Sequence, residues 1–247
     1  MPAEAPPGGI GATARPPFHL LETLLWRRRS GFFLRQRHVG RLQASARHFE
    51  RPLDLEQLHH TLDSLDQALR PQDHPRQRVR LLADASGAVE AQATPFPCGG
   101  RQRWTAVLDD RPVDSRDPFL RHKTTCRTVY DQALQRWPRA DEVLLFNERG
   151  ELTESTRANL VLERNGEWFT PPLECGLLPG TYREELLARG RLREAVLPIE
   201  RLAQADSILL INSLRGFIRV TLEDASGSRG IGDGTVHCTA SGSSSST

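Results

Sequence analysis

The chain carries a single lysine, Lys123 in the stretch RHKTTCR, among 33 Lys+Arg positions. Arginine serves solubility, surface ion pairs and most anion contacts as well as lysine does. A guanidinium, however, is not deprotonated in a protein, whereas an ammonium moved out of water can be. A lysine kept where every other cation is arginine is therefore a candidate for an amine that attacks a carbonyl or takes a proton. A codon bias that removed lysines and spared one by chance gives the same count, and composition does not separate the two. The other reactive groups are less suggestive. Cys98, Cys126, Cys175 and Cys238 form no CxxC pair, and the 8 histidines show no ligand spacing. That pattern argues against a disulfide framework and a structural metal, and it fits a reducing, cytoplasmic compartment.

The elements that must position Lys123 follow from length and pattern. A chain of 247 residues with 38% hydrophobic content can bury one large core or two modest ones. The net charge of +2 is spread without long basic runs, so a nucleic-acid footprint is not indicated. No apolar run approaches a membrane span, and the first residues lack the basic and apolar regions of a signal peptide. Residues 1–16, rich in Pro, Gly and Ala, and residues 225–247, rich in Gly and Ser, are expected to be disordered.

Between them the periodicity predicts an α+β protein of two lobes. FHLLETLLW and GFFLR flank RRRSG as a hairpin, and RQRVRLLADASGAVEAQATP is a second hairpin turning at Ser86 and Gly87. RHVGRLQASARHF and DLEQLHHTLDSLDQAL place apolar residues at helical spacing, with the pair His59 and His60 on a solvated face. These make a small lobe over 17–110, with the crossover near 98–118. In the second lobe, 111–224, TTCRTVYDQALQRW reads as a helix, and EVLLF, ELTES, ANLVLERNGEWFT, SILLINS and GFIRVTLE read as strands. The turns NERG and ERNG close hairpins, and PGTYREELLARG is a helix ended by Gly190.

HKTTCRTVYDQAL, GELTESTRANLVL, GLLPGTYREELL and SILLINSLRGF, in that order, resemble the class IV aminotransferase family of fold type IV pyridoxal-phosphate enzymes. The resemblance spans about Phe18 to Val220, and within the family it is nearest to the lyases that act on 4-amino-4-deoxychorismate. It implies pyridoxal 5'-phosphate as cofactor, a small-molecule substrate, a homodimer, and a functional partnership with aminodeoxychorismate synthase. Branched-chain and D-amino-acid aminotransferases share the whole cofactor constellation, and a non-catalytic relic of the family also fits, because a fold does not fix a reaction.

By the same resemblance Lys123 forms the Schiff base with the cofactor and serves as catalytic base. Glu154 of TES stands beside the cofactor's ring nitrogen, with Asn159 of RANL nearby. The start of the helix at Gly180, Thr181 and Tyr182 matches the phosphate cup, where backbone N–H groups and the helix dipole favour an anion. Family members often have threonine where this chain has Tyr182. Ser213 of INSLR matches a second phosphate-contacting turn, and Arg41 of RHVGRL matches an arginine that reaches the phosphate. Many members carry an extra strand and a Gly/Asp-rich loop ahead of ETLLW; the early start here resembles the lyases fused to the synthase. Glu22 and Thr23 are then candidates for the substrate side. Arg127, four residues beyond Lys123, pairs either with a substrate carboxylate or with a neighbouring acid.

Overall fold

The computed structural model describes residues 17–97, 99 and 103–223. The sequence readings for 1–16 and 225–247, and for Cys98 and Cys238, lie outside the described residues. In chain order the elements are β1 (Leu20–Arg27), β2 (Gly31–Phe32), α1 (Arg35–His48), α2 (Leu55–Leu69), β3 (Arg76–Ala83), β4 (Val89–Pro95), β5 (Arg103–Leu108), α3 (Pro118–Arg121), α4 (Thr128–Arg136), β6 (Glu142–Phe146), β7 (Leu152–Ser155), β8 (Asn159–Arg164), β9 (Glu167–Thr170), α5 (Thr181–Ala188), β10 (Arg193–Glu194), β11 (Ser207–Asn212) and β12 (Gly216–Leu222).

The first sheet is antiparallel, in the order β2-β1-β3-β4. Its β3–β4 turn requires glycine: Gly87 has φ +87°, and a Cβ there would lie 2.6 Å from the Pro52 carbonyl oxygen. Helix α1 buries Val39, Leu42 and Ala46 against this sheet, and α2 adds Leu58, Leu62 and Leu69. The start of α2 is fixed by Asp54, whose side chain accepts from the Gln57 amide at 3.0 Å. One core therefore forms between a sheet and two helices, each burying one stripe.

The second sheet runs β10-β9-β8-β11-β12-β5-β6-β7, and β7 also pairs with β8. That extra pairing closes β8, β11, β12, β5, β6 and β7 into a ring, and the registered pair that closes it is Glu154 with Asn159. Two of the residues singled out in the sequence thus face each other across the seam of a barrel.

Two sequence readings need correction. The segment over Arg103–Leu108 was assigned to the small lobe, but β5 lies in the larger sheet, parallel to both β12 and β6. Parallel pairing is made by crossovers between distant segments, which leave no local signal. The helix read from Thr124 begins at Thr128. Ahead of it the chain is extended and tied to the first sheet: Leu21 N donates to Lys123 O and Thr125 N donates to His19 O, both at 2.9 Å. Thr124 Oγ1 accepts from Cys126 N at 3.2 Å, a local bond that competes with helix formation. Lys123 is therefore held against the edge of the first sheet by its backbone.

Candidate active site

A cleft of about 720 Å³, including its open mouth, is lined by Thr23, Arg41, Lys123, Arg127, Glu154, Asn159, Gly180, Thr181 and Ser213 among others. These come from both sheets and from segments far apart in the chain. The size lies within the range of small-molecule sites. Of the sequence candidates, Glu22 and Tyr182 do not line it.

Lys123 is half-buried, and its Nζ takes no hydrogen bond or ion pair from the described residues. Burial lowers its pKa from 10.5 to about 8; the Arg41 and Arg127 guanidiniums lower it further, while Glu22 and Glu154 oppose them. At pH 7 about one amine in ten is then neutral, against roughly one in three thousand for an ordinary lysine.

Glu154 is 4% exposed. Its Oε1 accepts from Tyr130 Oη at 2.8 Å and from Leu178 N at 3.2 Å, and its Oε2 accepts from Asn159 Nδ2 at 3.2 Å. Burial raises the carboxyl to about 7, against the pull of the Tyr130 and Leu178 donors. The Tyr130 hydroxyl is itself pushed well above its usual range, by burial and then by Glu154, so it stays a donor. Asn159 also donates to Leu178 O at 2.8 Å, which ties the barrel seam to the loop before α5. That loop ends at Gly180, where a Cβ would overlap Asn159 Oδ1; only glycine lets the helix start come this close.

The first-sheet wall is built on a buried carboxylate. Glu22, 2% exposed, accepts from Arg41 Nε at 2.8 Å and Arg41 Nη2 at 2.7 Å, and its Oε2 lies 2.7 Å from His38 Nδ1. Arg41 Nη1 donates to Pro179 O at 3.0 Å, so its guanidinium is fixed on three sides beside the start of α5. Burial alone would raise Glu22, but Arg41 and His38 outweigh it and hold the carboxyl at about 2. Burial keeps His38 below its usual range in spite of Glu22. A neutral His38 must then donate from Nδ1 to the carboxylate, leaving Nε2 to accept from Thr181 Oγ1 at 3.3 Å.

Two expectations are corrected here. Glu22 is the counter-ion of Arg41 and not a substrate-side group, and a carboxylate buried behind an arginine gives no local sequence signal. Tyr182 packs against Phe33 and Phe217, with ring centroids 5.9 and 5.5 Å away. Its side chain leaves the cleft because successive residues on a helix point about 100° apart, and Thr181 takes the inward position. Thr23 lines the cleft, and Ser213 does so from the β11–β12 turn, where Asn212 Oδ1 accepts from Leu214 N and Arg215 N at 3.2 and 2.9 Å. Arg127 lines it too, but its Nη2 donates to Thr156 O at 2.6 Å, and its guanidinium lies 4.6 Å from the Tyr130 ring centroid.

The sequence reading missed His38, Tyr130, Thr156 and Arg157. A helical-spacing count could have raised Tyr130, which lies on the same helical segment as Arg127 and three residues after it. The others announce themselves only in three dimensions. Among the described residues no group of three His, Cys, Asp or Glu side chains could hold a metal, and no helix is long and apolar enough to cross a membrane.

A model of the family described as amino-transferase class IV matches residues 19–222. A putative aminodeoxychorismate lyase of Schizosaccharomyces pombe is 34% identical over 205 residues, covering 80% of this chain and 86% of that protein. The crystal structure of a putative amino-acid aminotransferase from Mesorhizobium loti is 37% identical, covers 83% of this chain and 99% of its own, and superposes with a TM-score of 0.76. The pyridoxal-phosphate-bound form of a hypothetical aminotransferase from Mycobacterium tuberculosis shares the fold at 23% identity, with a TM-score of 0.73 over 87% of this chain and 84% of its own.

Proposed function

The chain belongs to the class IV aminotransferase family, and from that premise we propose that it is a pyridoxal-phosphate-dependent lyase converting 4-amino-4-deoxychorismate to 4-aminobenzoate and pyruvate. The observation that carries the proposal is the facing of Lys123, with an amine near neutrality, and the buried Glu154 across one cation-rich cleft.

The residues fit the cofactor on three counts. Lys123 offers an amine without a partner among the described residues, Glu154 offers a buried carboxyl, and the start of α5 at Gly180 and Thr181 lines the cleft beside Arg41 and Ser213. Arg41, Ser213 and the first N–H groups of α5 would hold a phosphate, and Glu154 with Asn159 would face a protonated ring nitrogen. When bound, the cofactor supplies an electron sink for charge developing at the carbon next to the substrate amine.

The chain's own residues do the rest. The neutral form of Lys123 takes the proton from the carbon that bears the amine, and its half-buried position keeps that amine poorly hydrated. Burial raises the Glu154 carboxyl to about 7, so the positive charge of a protonated ring nitrogen beside it would hold it ionised, and the Tyr130, Leu178 and Asn159 donors hold its two oxygens in place. The carbon–oxygen bond to the side chain then breaks, the side chain leaves as enolpyruvate and becomes pyruvate with the proton that Lys123 removed, and the substrate ring becomes aromatic, so no keto acid is needed to complete the cycle. The relatedness to the Schizosaccharomyces pombe protein supports this reading. A homodimer working beside aminodeoxychorismate synthase in the cytoplasm is part of the same proposal.

The similarity to the Mesorhizobium loti structure favours a second reading, an amino-acid aminotransferase built on the same residues. Incubation with 4-amino-4-deoxychorismate in the absence of any keto acid separates the two. The lyase yields 4-aminobenzoate and pyruvate in equal amounts. Conversion of the cofactor to its amine form by D-alanine or a branched-chain amino acid, reversed by 2-oxoglutarate, would replace the lyase reading with the second.

A further inference from the structure

We propose that Arg157 binds the ring carboxylate of the substrate and that Arg127 is a positioning residue that braces the turn carrying it. The inference rests on the lyase reading, and it gives that reading a determinant for a substrate with an amine at one end of a ring and a carboxylate at the other.

The turn between β7 and β8 is rigid. Ser155 N donates to Ala158 O at 2.8 Å, and Ser155 Oγ accepts from Ala158 N at 3.2 Å. Thr156 is held from two sides: its carbonyl accepts from Arg127 Nη2 at 2.6 Å, and its hydroxyl donates to Glu142 Oε2 at 2.5 Å. The Arg157 carbonyl accepts from Asn212 Nδ2 at 3.3 Å, at the end of the adjacent strand β11. The backbone around residue 157 is thus fixed by Arg127 ahead of α4, by Glu142 of β6 and by Asn212 of β11.

Its guanidinium is not. The side chain lines the cleft and is 52% exposed, and its one ion-pair neighbour is Glu142 Oε1 at 3.5 Å, without hydrogen-bond geometry. Glu142 is fully buried, and burial pushes its carboxyl above the usual range. The other arginines of the cleft are committed: Arg41 to Glu22 and Pro179, Arg127 to Thr156 and the Tyr130 ring. Among the arginines of the cleft, Arg157 is the one without a hydrogen bond from its guanidinium among the described residues. Lys123 marks the amine end of a bound substrate, and a carboxylate across the substrate ring from that amine would lie away from Lys123, where the Arg157 guanidinium on the cleft lining can receive it with two parallel donors.

The test uses the full-length, cofactor-loaded protein and its Arg157→Gln and Arg157→Lys variants, with three measurements. Calorimetric binding of 4-aminobenzoate is compared with that of the uncharged 4-aminobenzamide. Cofactor affinity is followed by absorbance titration, and kcat and KM are measured for lyase turnover. Arg157→Gln is expected to weaken 4-aminobenzoate at least tenfold, leave 4-aminobenzamide and cofactor affinity within twofold, and raise KM tenfold with kcat nearly kept; Arg157→Lys recovers part of the loss. Equal weakening of acid and amide, or a loss mainly in cofactor affinity, overturns the assignment, the second by making Arg157 a phosphate contact. Arg127→Gln is expected to raise KM in the same sense, with no further increase when added to Arg157→Gln; an additive increase overturns the bracing role. A parent protein that neither forms nor binds 4-aminobenzoate refutes the lyase reading itself, a failure distinct from an active parent whose Arg157→Gln variant binds 4-aminobenzoate unchanged.

Discussion

The two walls of the cleft are built on opposite terms. On the first-sheet side, Glu22, Arg41, His38 and Thr181 form a closed network in which the carboxylate and guanidinium each find partners. Facing it, Lys123 Nζ has no partner among the described residues and Arg157, on the barrel turn, is half open, with Glu142 Oε1 buried behind it without a hydrogen bond. A saturated network fixes position, because any displacement breaks several bonds at low dielectric. An unsaturated one leaves groups free to exchange protons and accept ligands. The comparison places anchoring on one wall and chemistry on the other, and it breaks wherever a variant on one wall behaves like its counterpart on the other.

The largest effect is expected at Lys123. Lys123→Arg keeps a cation but removes the only amine that can be neutral, so turnover should fall at least about 10³-fold. Because the chain has no other lysine, borohydride reduction followed by peptide mapping should place the cofactor at residue 123 in the parent and nowhere in the variant. Label on the α-amino group alone would remove Lys123 from the site. Glu154→Gln comes next: the shape survives and the charge does not, so kcat should drop by about 10²-fold while reductive labelling of Lys123 persists.

On the anchoring wall the expected loss is in stability and cofactor affinity. Glu22→Gln leaves a buried guanidinium without its counter-ion, which costs about 3–5 kcal/mol. The pH dependence has a definite sign. The Glu22 carboxyl is depressed from 4.5 to about 2 on folding, so it stabilises above the unfolded value, by about 3 kcal/mol at neutral pH, and that contribution is lost as pH falls from about 4.5 through 2. Denaturant titrations from pH 6 to pH 2 should show the parent losing this increment and Glu22→Gln lacking it. Equal slopes would mean that Glu22 is not the wall's counter-ion.

The difference between the walls also marks what was legible in the sequence. Lys123, Glu154, Asn159, Gly180 and Ser213 lie in short ungapped stretches whose order carries the fold resemblance, and all of them line the cleft. Hairpins such as β1–β2 and β3–β4 are legible because their partners are close in sequence. The parallel placement of β5 and the Glu22–Arg41–His38 cluster depend on approaches between segments that no period or turn encodes. Glu22 shows the limit best: it lies in a strand-like run, where a carboxylate reads as solvent-facing, and the arginine that makes its burial tolerable stands 19 residues later.

The smallest expected effect is at Tyr182, and it sharpens the comparison through its neighbour. Thr181 and Tyr182 open α5 together, and the family resemblance assigns a hydroxyl at the second position to the phosphate. The Tyr182 ring instead packs between Phe33 and Phe217, a few ångströms from the Trp168–Phe217 pair, while Thr181 is 2% exposed and faces His38. Tyr182→Phe keeps the ring contacts and removes only the hydroxyl, so cofactor affinity should change by less than about 0.5 kcal/mol, the range of a surface substitution. Thr181→Val deletes the hydroxyl that meets His38 Nε2, leaving that buried acceptor unpaired, which costs about 1–3 kcal/mol. Absorbance titration of cofactor into the two variants, with a denaturant curve for each, tests the pair. If Tyr182→Phe loses cofactor affinity more than Thr181→Val, the helix start presents its second residue to the phosphate, and the anchoring wall is not closed at Thr181.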